Sequence, residues 1–132
     1  MSKVQNVFLV GAKSLGAYGG YETFVYKLTE YHQNNPNIKY HVACKANGDG
    51  CMDETKLDNV KRISDSEFEF HNARCFKIHI PQIGPAQAIY YDVAALRECC
   101  KYIKKNNIEN PIVILWLVGL ALLQDIFYYE NT

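Results

Sequence analysis

The sequence has 132 residues, a length that suits one domain with its own core. Hydrophobic residues make up 48% of it and charged residues 21%, which excludes an intrinsically disordered chain. The 14 basic and 14 acidic residues balance, and no long basic stretch occurs, so we expect no binding to nucleic acid.

A strand, a glycine-rich loop and a helix open the chain. Val4 to Val10 is a short run of branched and aromatic residues that predicts a buried strand ended by Gly11. A loop with four glycines follows, up to Gly20. Apolar residues then recur at helical spacing and predict one buried stripe, formed by Tyr21, Phe24, Val25, Leu28 and Tyr31.

The middle of the chain is predicted to hold three strands and a long loop. Ile38 to Ala46 reads as the second strand, and residues 47–65 as a polar surface loop. Phe68 and Phe70 alternate with glutamates, which suggests a short edge strand. Cys75 to Ile80 alternates again and predicts a further strand.

A second helix and a last strand complete the predicted order. The helix begins after Pro85, with its apolar stripe at Ile89, Val93, Leu96, Cys100 and Ile103. Ile112 to Val118 predicts a buried strand, because the apolar run is too short to cross a membrane. The alternating order predicts an α/β domain, a Rossmann-like and mostly parallel sheet with helices on both faces. Ligands bind such sheets at the carboxyl ends of the strands.

The cysteines and histidines form no pattern typical of a metal or disulfide site. The five cysteines (Cys44, Cys51, Cys75, Cys99 and Cys100) are odd in number and include no Cys-x-x-Cys pair. We therefore expect no metal site and reduced, mostly buried thiols in a cytoplasmic protein. The four scattered histidines are interpreted as surface or strand residues.

The glycine loop between the first strand and the first helix is the most informative segment. Backbone amides at Gly11 and at the following helix start can approach an anionic or polyhydroxyl ligand, and Lys13 adds a positive charge. The spacing matches neither a P-loop nor a dinucleotide fingerprint. On its glycines alone, the segment predicts a plain tight turn as well as a ligand loop.

The full string around these glycines is more specific. Gly19-Gly20-Tyr21-Glu22-Thr23-Phe24 resembles the Gly-Gly-x-Glu-Thr-Phe signature of bacterial glycosyltransferases of the rhamnosyltransferase type, in family 4 of the retaining GT-B enzymes. The resemblance continues in the segments 27–31, 40–44, 70–75 and 83–92. It covers roughly residues 4 to 113.

The resemblance implies the N-terminal half of a GT-B fold, which shapes the acceptor side of a cleft. The reaction would transfer a sugar such as rhamnose from a nucleotide-sugar donor to a lipid-linked glycan, in the synthesis of cell-surface polysaccharide. The nucleotide sugar is a substrate, and no cofactor is implied. A C-terminal donor-binding half is expected and missing, so the chain alone is expected to be inactive. The resemblance also implies a cytoplasmic protein, with peripheral contact at the inner membrane face as an alternative.

The loop chemistry and the resemblance together give ten candidate donor- or acceptor-binding residues. Gly19 and Gly20 would face the donor diphosphate, and we expect at least one of them to need a positive φ or to lie at the cleft floor. The others lie in the same loop, at the start of the first helix or at the second loop-to-helix junction. They are Gly11, Lys13, Tyr18, Glu22, Thr23, Gly84, Tyr91 and Asp92.

Structural roles remain open for several of these residues. Glu22 and Thr23 also suit the first turn of a helix, Tyr91 also suits a core, and Asp92 also suits a solvated helix face. The resemblance assigns no catalytic residue.

The C-terminal segment departs from the resemblance. Residues 1–118 are predicted to form the Rossmann-like domain and residues 119–132 a non-native tail. The related enzymes have a Tyr-Ile-x-Ala-Cys-Arg-Ile-Gly-Pro type segment where this chain reads Ile114-Leu115-Trp116-Leu117-Val118-Gly119-Leu120-Ala121-Leu122. A permitted coding of Trp116 through Leu122, read one base out of frame with an A supplied by the codon of Leu115, gives Met-Ala-Cys-Arg-Ile-Gly-Pro. The hypothesis is that one base was lost near codon 114, and we expect poor packing beyond Gly119.

Two other readings stay open. One alternative is a non-catalytic truncated fragment or a stand-alone module that binds a sugar or a nucleotide. A small nucleotide-binding regulator of Rossmann type is a third reading, and it rests on the glycine loop alone.

Overall fold

The structure is a computed structural model that describes residues 3–15, 19–48 and 50–116. These residues contain the strands β1 (Gln5–Val10), β2 (Ile38–Lys45), β3 (Lys61–Arg62), β4 (Glu67–Phe70), β5 (Ala73–Ile78) and β6 (Ile112–Leu115). They also contain the helices α1 (Gly20–Tyr31) and α2 (Gln87–Lys105), and short 3-10 helices at Glu54–Lys56 and Gly84–Ala86. The predicted tail, residues 119–132, lies outside the described residues.

The described strands form one mixed sheet in the order β3-β4-β5-β2-β1-β6. β1 pairs in parallel with both β2 and β6, and β2 pairs in parallel with β5. β3 and β4 extend the sheet with antiparallel pairs. The four parallel strands have the order of a Rossmann-like half, in which β2 and β5 are added on one side of β1 and β6 on the other, so the strand order reverses at β1. The predicted α/β class is therefore confirmed, with an antiparallel extension.

The two helices cover opposite faces of the sheet. Val7 and Leu9 of β1 belong to the core on the α1 side, whereas Phe8 and Val10 belong to the core on the α2 side. This alternation follows from the two-residue period of a strand that is buried on both faces. The prediction of helices on both faces is confirmed.

The predicted stripe of α1 is only partly right. Tyr21 and Val25 are buried as expected, but Phe24 and Tyr31 are exposed. Thr29 is buried instead, and its hydroxyl donates to the Val25 carbonyl at 2.9 Å. Residues four apart on α1 thus face the sheet. A threonine is tolerated at the buried position because a backbone carbonyl of the helix accepts a hydrogen bond from its hydroxyl.

The predicted stripe of α2 is only partly right, because Leu96 and Ile103 pack against the core as expected but the centre of the buried face is rotated from the predicted one. Its buried residues are Tyr91, Asp92, Ala95 and Cys99, whereas Val93 and Cys100 are exposed. Small Ala95 and Cys99 let the helix lie close to the sheet, and a stripe read from large apolar residues misses this face.

Two strand predictions also need correction. β4 is not the edge of the sheet, because β3 pairs outside it, and Phe68 and Phe70 are buried. β6 was predicted to be buried, yet Ile112, Val113 and Leu115 are exposed. In the described part of the chain β6 has β1 on one side and stands at the end of the sheet order, which leaves its side chains open.

Candidate functional site

A cleft of about 330 Å³ opens at the carboxyl ends of the parallel strands. Its walls come from the ends of β1, β2 and β6 and from the start of α2. The lining residues are Gly11, Lys13, Lys45, Gly84, Pro85, Gln87, Ala88, Tyr91, Asp92 and Trp116. Because β1 has β2 on one side and β6 on the other, the cleft lies where the strand order reverses, the usual ligand position in open α/β sheets.

Asp92 places a carboxylate in this cleft. The residue is only 5% exposed, and burial raises the pKa of its carboxyl to about 6. The carboxylate makes no hydrogen bond or ion pair with another described residue. Buried carboxylates are normally paired, so an unpaired one that lines a cleft is a candidate ligand-binding group.

Tyr91, the neighbour of Asp92, fixes the cleft floor. Its buried hydroxyl donates a 2.6 Å hydrogen bond to the carbonyl of Ala12, in the loop that follows β1. Burial raises the pKa of this hydroxyl well above its usual value, so it remains a donor. Tyr91 therefore ties α2 to the glycine loop, and it both belongs to the core and lines the cleft.

Two lysines bring positive charge to the same cleft. Lys13 is exposed, and its carbonyl accepts a 2.8 Å hydrogen bond from the amide of Lys45. This bond joins the loop after β1 to the end of β2. Lys45 was not predicted as a site residue. Its position at the end of a predicted parallel strand is the signal in the sequence that could have identified it.

Gly11 lines the cleft for a packing reason. It has φ +123°, and a Cβ on it would lie 2.3 Å from the carbonyl oxygen of Trp116. The missing side chain thus admits the backbone that follows β6, whose Trp116 amide donates to the Val10 carbonyl at 2.9 Å.

The start of α1 forms a separate group. Gly19 caps the helix with φ +157°, and a Cβ there would meet Glu22 Oε2 at 2.7 Å, so the expected need for a positive φ is confirmed at Gly19. Glu22 lies in the first turn, where a carboxylate favours the helix dipole. Gly20 and Thr23 are exposed and do not line the cleft. Tyr18 lies outside the described residues.

The structure thus gathers Gly11, Lys13, Gly84, Tyr91 and Asp92 in one cleft. It does not bring Gly19, Gly20, Glu22 and Thr23 into that cleft. Trp116, which sequence reasoning placed in the frame-shifted segment and did not predict at the site, also lines it.

A larger groove of about 510 Å³ lies between β5 and α2, and most of its charged residues are held in ion pairs. Arg74 pairs with Glu67, Lys77 with Glu54, and Lys101 with Glu98. Arg74 also donates to Nδ1 of buried His41, and burial with this nearby charge lowers the pKa of that histidine to about 3. We interpret these paired groups as structural.

The described residues contain no group of three or more histidine, cysteine, aspartate or glutamate side chains that could hold a metal ion. Cys44, Cys75 and Cys99 are buried, Cys51 and Cys100 are exposed, and all five are free thiols. Within the described ranges, no helix is both long and apolar enough to cross a membrane.

Fold and cleft define this protein as a Rossmann-like α/β domain with a cleft at its topological switch point. A family model described as a domain of unknown function (DUF1972) matches residues 4–131, and the chain belongs to that family. No curated protein and no solved structure matches the chain.

Proposed function

We propose that this domain binds the sugar acceptor of a nucleotide-sugar-dependent glycosyltransferase, in the cleft that Asp92 lines. The observation that carries the proposal is Asp92 at the switch point of the sheet, a buried residue whose carboxylate pairs with no described residue and opens into the cleft. Carboxylates accept hydrogen bonds from hydroxyl groups, and such charge-assisted bonds are stronger than neutral ones. The resemblance to rhamnosyltransferases agrees with this chemistry.

Under this proposal the domain is the N-terminal half of a GT-B enzyme. Its acceptor is a lipid-linked glycan, and its donor is a nucleotide sugar such as one carrying rhamnose. A second Rossmann-like half across the cleft would hold that donor. The cleft volume of about 330 Å³ is near the lower limit for ligand pockets, which suits one or two sugar rings better than a complete nucleotide sugar.

The location proposed for the protein is the cytoplasm, with contact at the inner membrane face. Five free thiols suit a reducing compartment. The exposed residues of α2 include Arg97, Lys101, Lys104 and Lys105, which favour an anionic surface. Cosedimentation with vesicles that contain anionic lipid tests this contact, and equal recovery with neutral vesicles would contradict it.

Binding is tested by NMR on the 132-residue chain. We expect neutral mono- and disaccharides to shift the amide signals of Gly11, Lys13 and Gly84, and Asp92→Asn to weaken that binding at least tenfold. Asp58→Asn, which removes an exposed carboxylate outside the cleft, is the matched control. Nucleotide sugars titrated by calorimetry should bind weakly or not at all, and micromolar affinity would show that the donor site is misplaced.

Transfer is tested in the cell. Asp92→Asn introduced into the source bacterium should reduce the rhamnose content of its surface polysaccharide, whereas Asp58→Asn should not. Saccharide binding in the cleft with unchanged polysaccharide would favour the alternative, a non-catalytic sugar-binding module.

A further inference from the structure

Trp116 is an exposed aromatic residue held in a fixed place at the cleft. It follows β6, and its amide donates to the Val10 carbonyl at 2.9 Å, which continues the pairing with β1. The residue is 56% exposed although it is largely apolar. It lines the cleft together with Asp92 and Lys13.

Tyr21 supports the indole from the side of α1. The two rings stack with their centroids 5.5 Å apart and an angle of 12° between their planes. Tyr21 is itself buried, and its hydroxyl donates to the Ile114 carbonyl of β6 at 3.4 Å. Because one face of the indole packs on Tyr21, its exposed surface lies on the other face and the edges.

An open aromatic face beside an unpaired carboxylate is suited to a sugar ring. A pyranose carries C–H groups on one face and hydroxyl groups around its rim. The C–H groups pack on the electron-rich face of an indole, and a carboxylate accepts hydrogen bonds from the hydroxyls. Lys13 and Lys45 bring positive charge to the same cleft, but a phosphate group placed beside Asp92 itself would be repelled by the carboxylate.

We propose that Trp116 is the platform on which one neutral pyranose ring of the acceptor packs, while Asp92 accepts hydrogen bonds from the hydroxyls of that ring. This inference rests on the proposed function and adds the substrate class and the specificity-determining residue. The inference concerns the tryptophan that this chain carries at position 116, and it does not depend on whether a base was lost near codon 114.

The sequence makes the test direct, because Trp116 is the only tryptophan. Titration of the full chain with methyl rhamnoside and methyl glucoside should change its tryptophan fluorescence with the same dissociation constant that NMR gives. Trp116→Ala should weaken binding at least tenfold by NMR, and Trp116→Phe, which keeps a ring, should stay within about threefold. Tyr31→Ala removes an aromatic residue that is 83% exposed and outside the cleft, and it should bind as the parent does.

The amide spectrum of each variant shows whether it folds, and the fluorescence titration of the parent chain keeps the proposal falsifiable if Trp116→Ala does not fold, because saccharide binding without a change in tryptophan fluorescence overturns it. If saccharides still shift the amide signals of the cleft in Trp116→Ala with unchanged affinity, the platform role of Trp116 is overturned and the proposed function stands. Fluorescence changes with uridine or thymidine, and none with the saccharides, overturn the sugar assignment. Absence of any saccharide binding overturns the inference, while the polysaccharide measurement on Asp92→Asn judges the proposed function separately.

Discussion

At the scale of single residues, Asp92 combines burial with an ionisable group that no described neighbour pairs. Its pKa of about 6 lies above the ordinary value of 3.8, so the folded chain holds a proton that the unfolded chain releases between these values. Stability therefore falls as the pH rises through this interval and stays reduced above it. A residue that destabilises the fold at neutral pH is a candidate for function.

Asp92→Asn is expected to stabilise the domain at pH 7.5 by about 1–2 kcal/mol, because the amide has no charge to desolvate and solvent in the open cleft screens part of that penalty. The difference in stability between variant and parent should shrink toward zero near pH 3.5, where the Asp92 carboxyl is protonated in the folded chain and largely protonated in the unfolded chain. Urea unfolding at several pH values measures it, and the contribution of His41 cancels because both proteins carry it. Asp58→Asn is the control, and equal stability of Asp92→Asn and the parent at pH 7.5 would contradict the pKa assignment.

Gly11→Ala is expected to destabilise the domain by about 3 kcal/mol, since the φ of +123° is unfavourable for alanine and the new Cβ would meet the Trp116 carbonyl. The tryptophan fluorescence emission of the folded variant should also differ from that of the parent, because Trp116 must move. Gly20→Ala is the matched control: a Cβ there has no atom within 4 Å, so little change is expected. A Gly11→Ala variant as stable as the parent would show that the backbone after β6 is not held against β1.

At the scale of elements, α2 forms one wall of the cleft and part of the core with the same face. Tyr91 ties it to the loop after β1, and Ala95 and Cys99 bring it close to the sheet. The side chain of Asp92 enters the cleft from this helix, so the position of α2 sets the position of the carboxylate. Packing and site geometry are thereby coupled.

Tyr91→Phe is expected to lower the free energy of unfolding by about 1–2 kcal/mol, because the Ala12 carbonyl loses its buried donor. The amide signal of Lys13 should shift as the loop relaxes. Tyr90→Phe changes the same atom on the exposed neighbour, and it should leave both measurements unchanged. Equal effects of the two variants would show that the hydrogen bond does not hold the loop.

At the scale of the whole molecule, the cleft is assembled from segments that are far apart in sequence. Gly11, Lys45, Asp92 and Trp116 come from four different parts of the chain, and the parallel strands bring them to one edge. Family membership extends over residues 4–131, whereas the described residues end at Trp116. The prediction of a frame-shifted tail thus stays a prediction.

The frame-shift hypothesis makes a prediction that the encoding DNA decides. The last base of codon 115 and the bases of codons 116 to 122, read one position out of frame, should encode Met-Ala-Cys-Arg-Ile-Gly-Pro. The measurement is the nucleotide sequence of the source locus, repeated on independent clones to exclude a cloning error. Any other peptide in that frame would refute the hypothesis, and the tail would then be a native segment.

The sequence by itself determined the α/β class, the position of nearly every strand and both helices, and the glycine at the start of α1, because periodicity and chain-breaking residues are local properties. It also named five of the residues that line the cleft. Only the tertiary structure decided which face of α2 is buried, that β6 is exposed, and that Asp92, Lys45 and Trp116 share one cleft. These outcomes depend on close packing across the sheet and on strand order, which join residues that no local pattern connects.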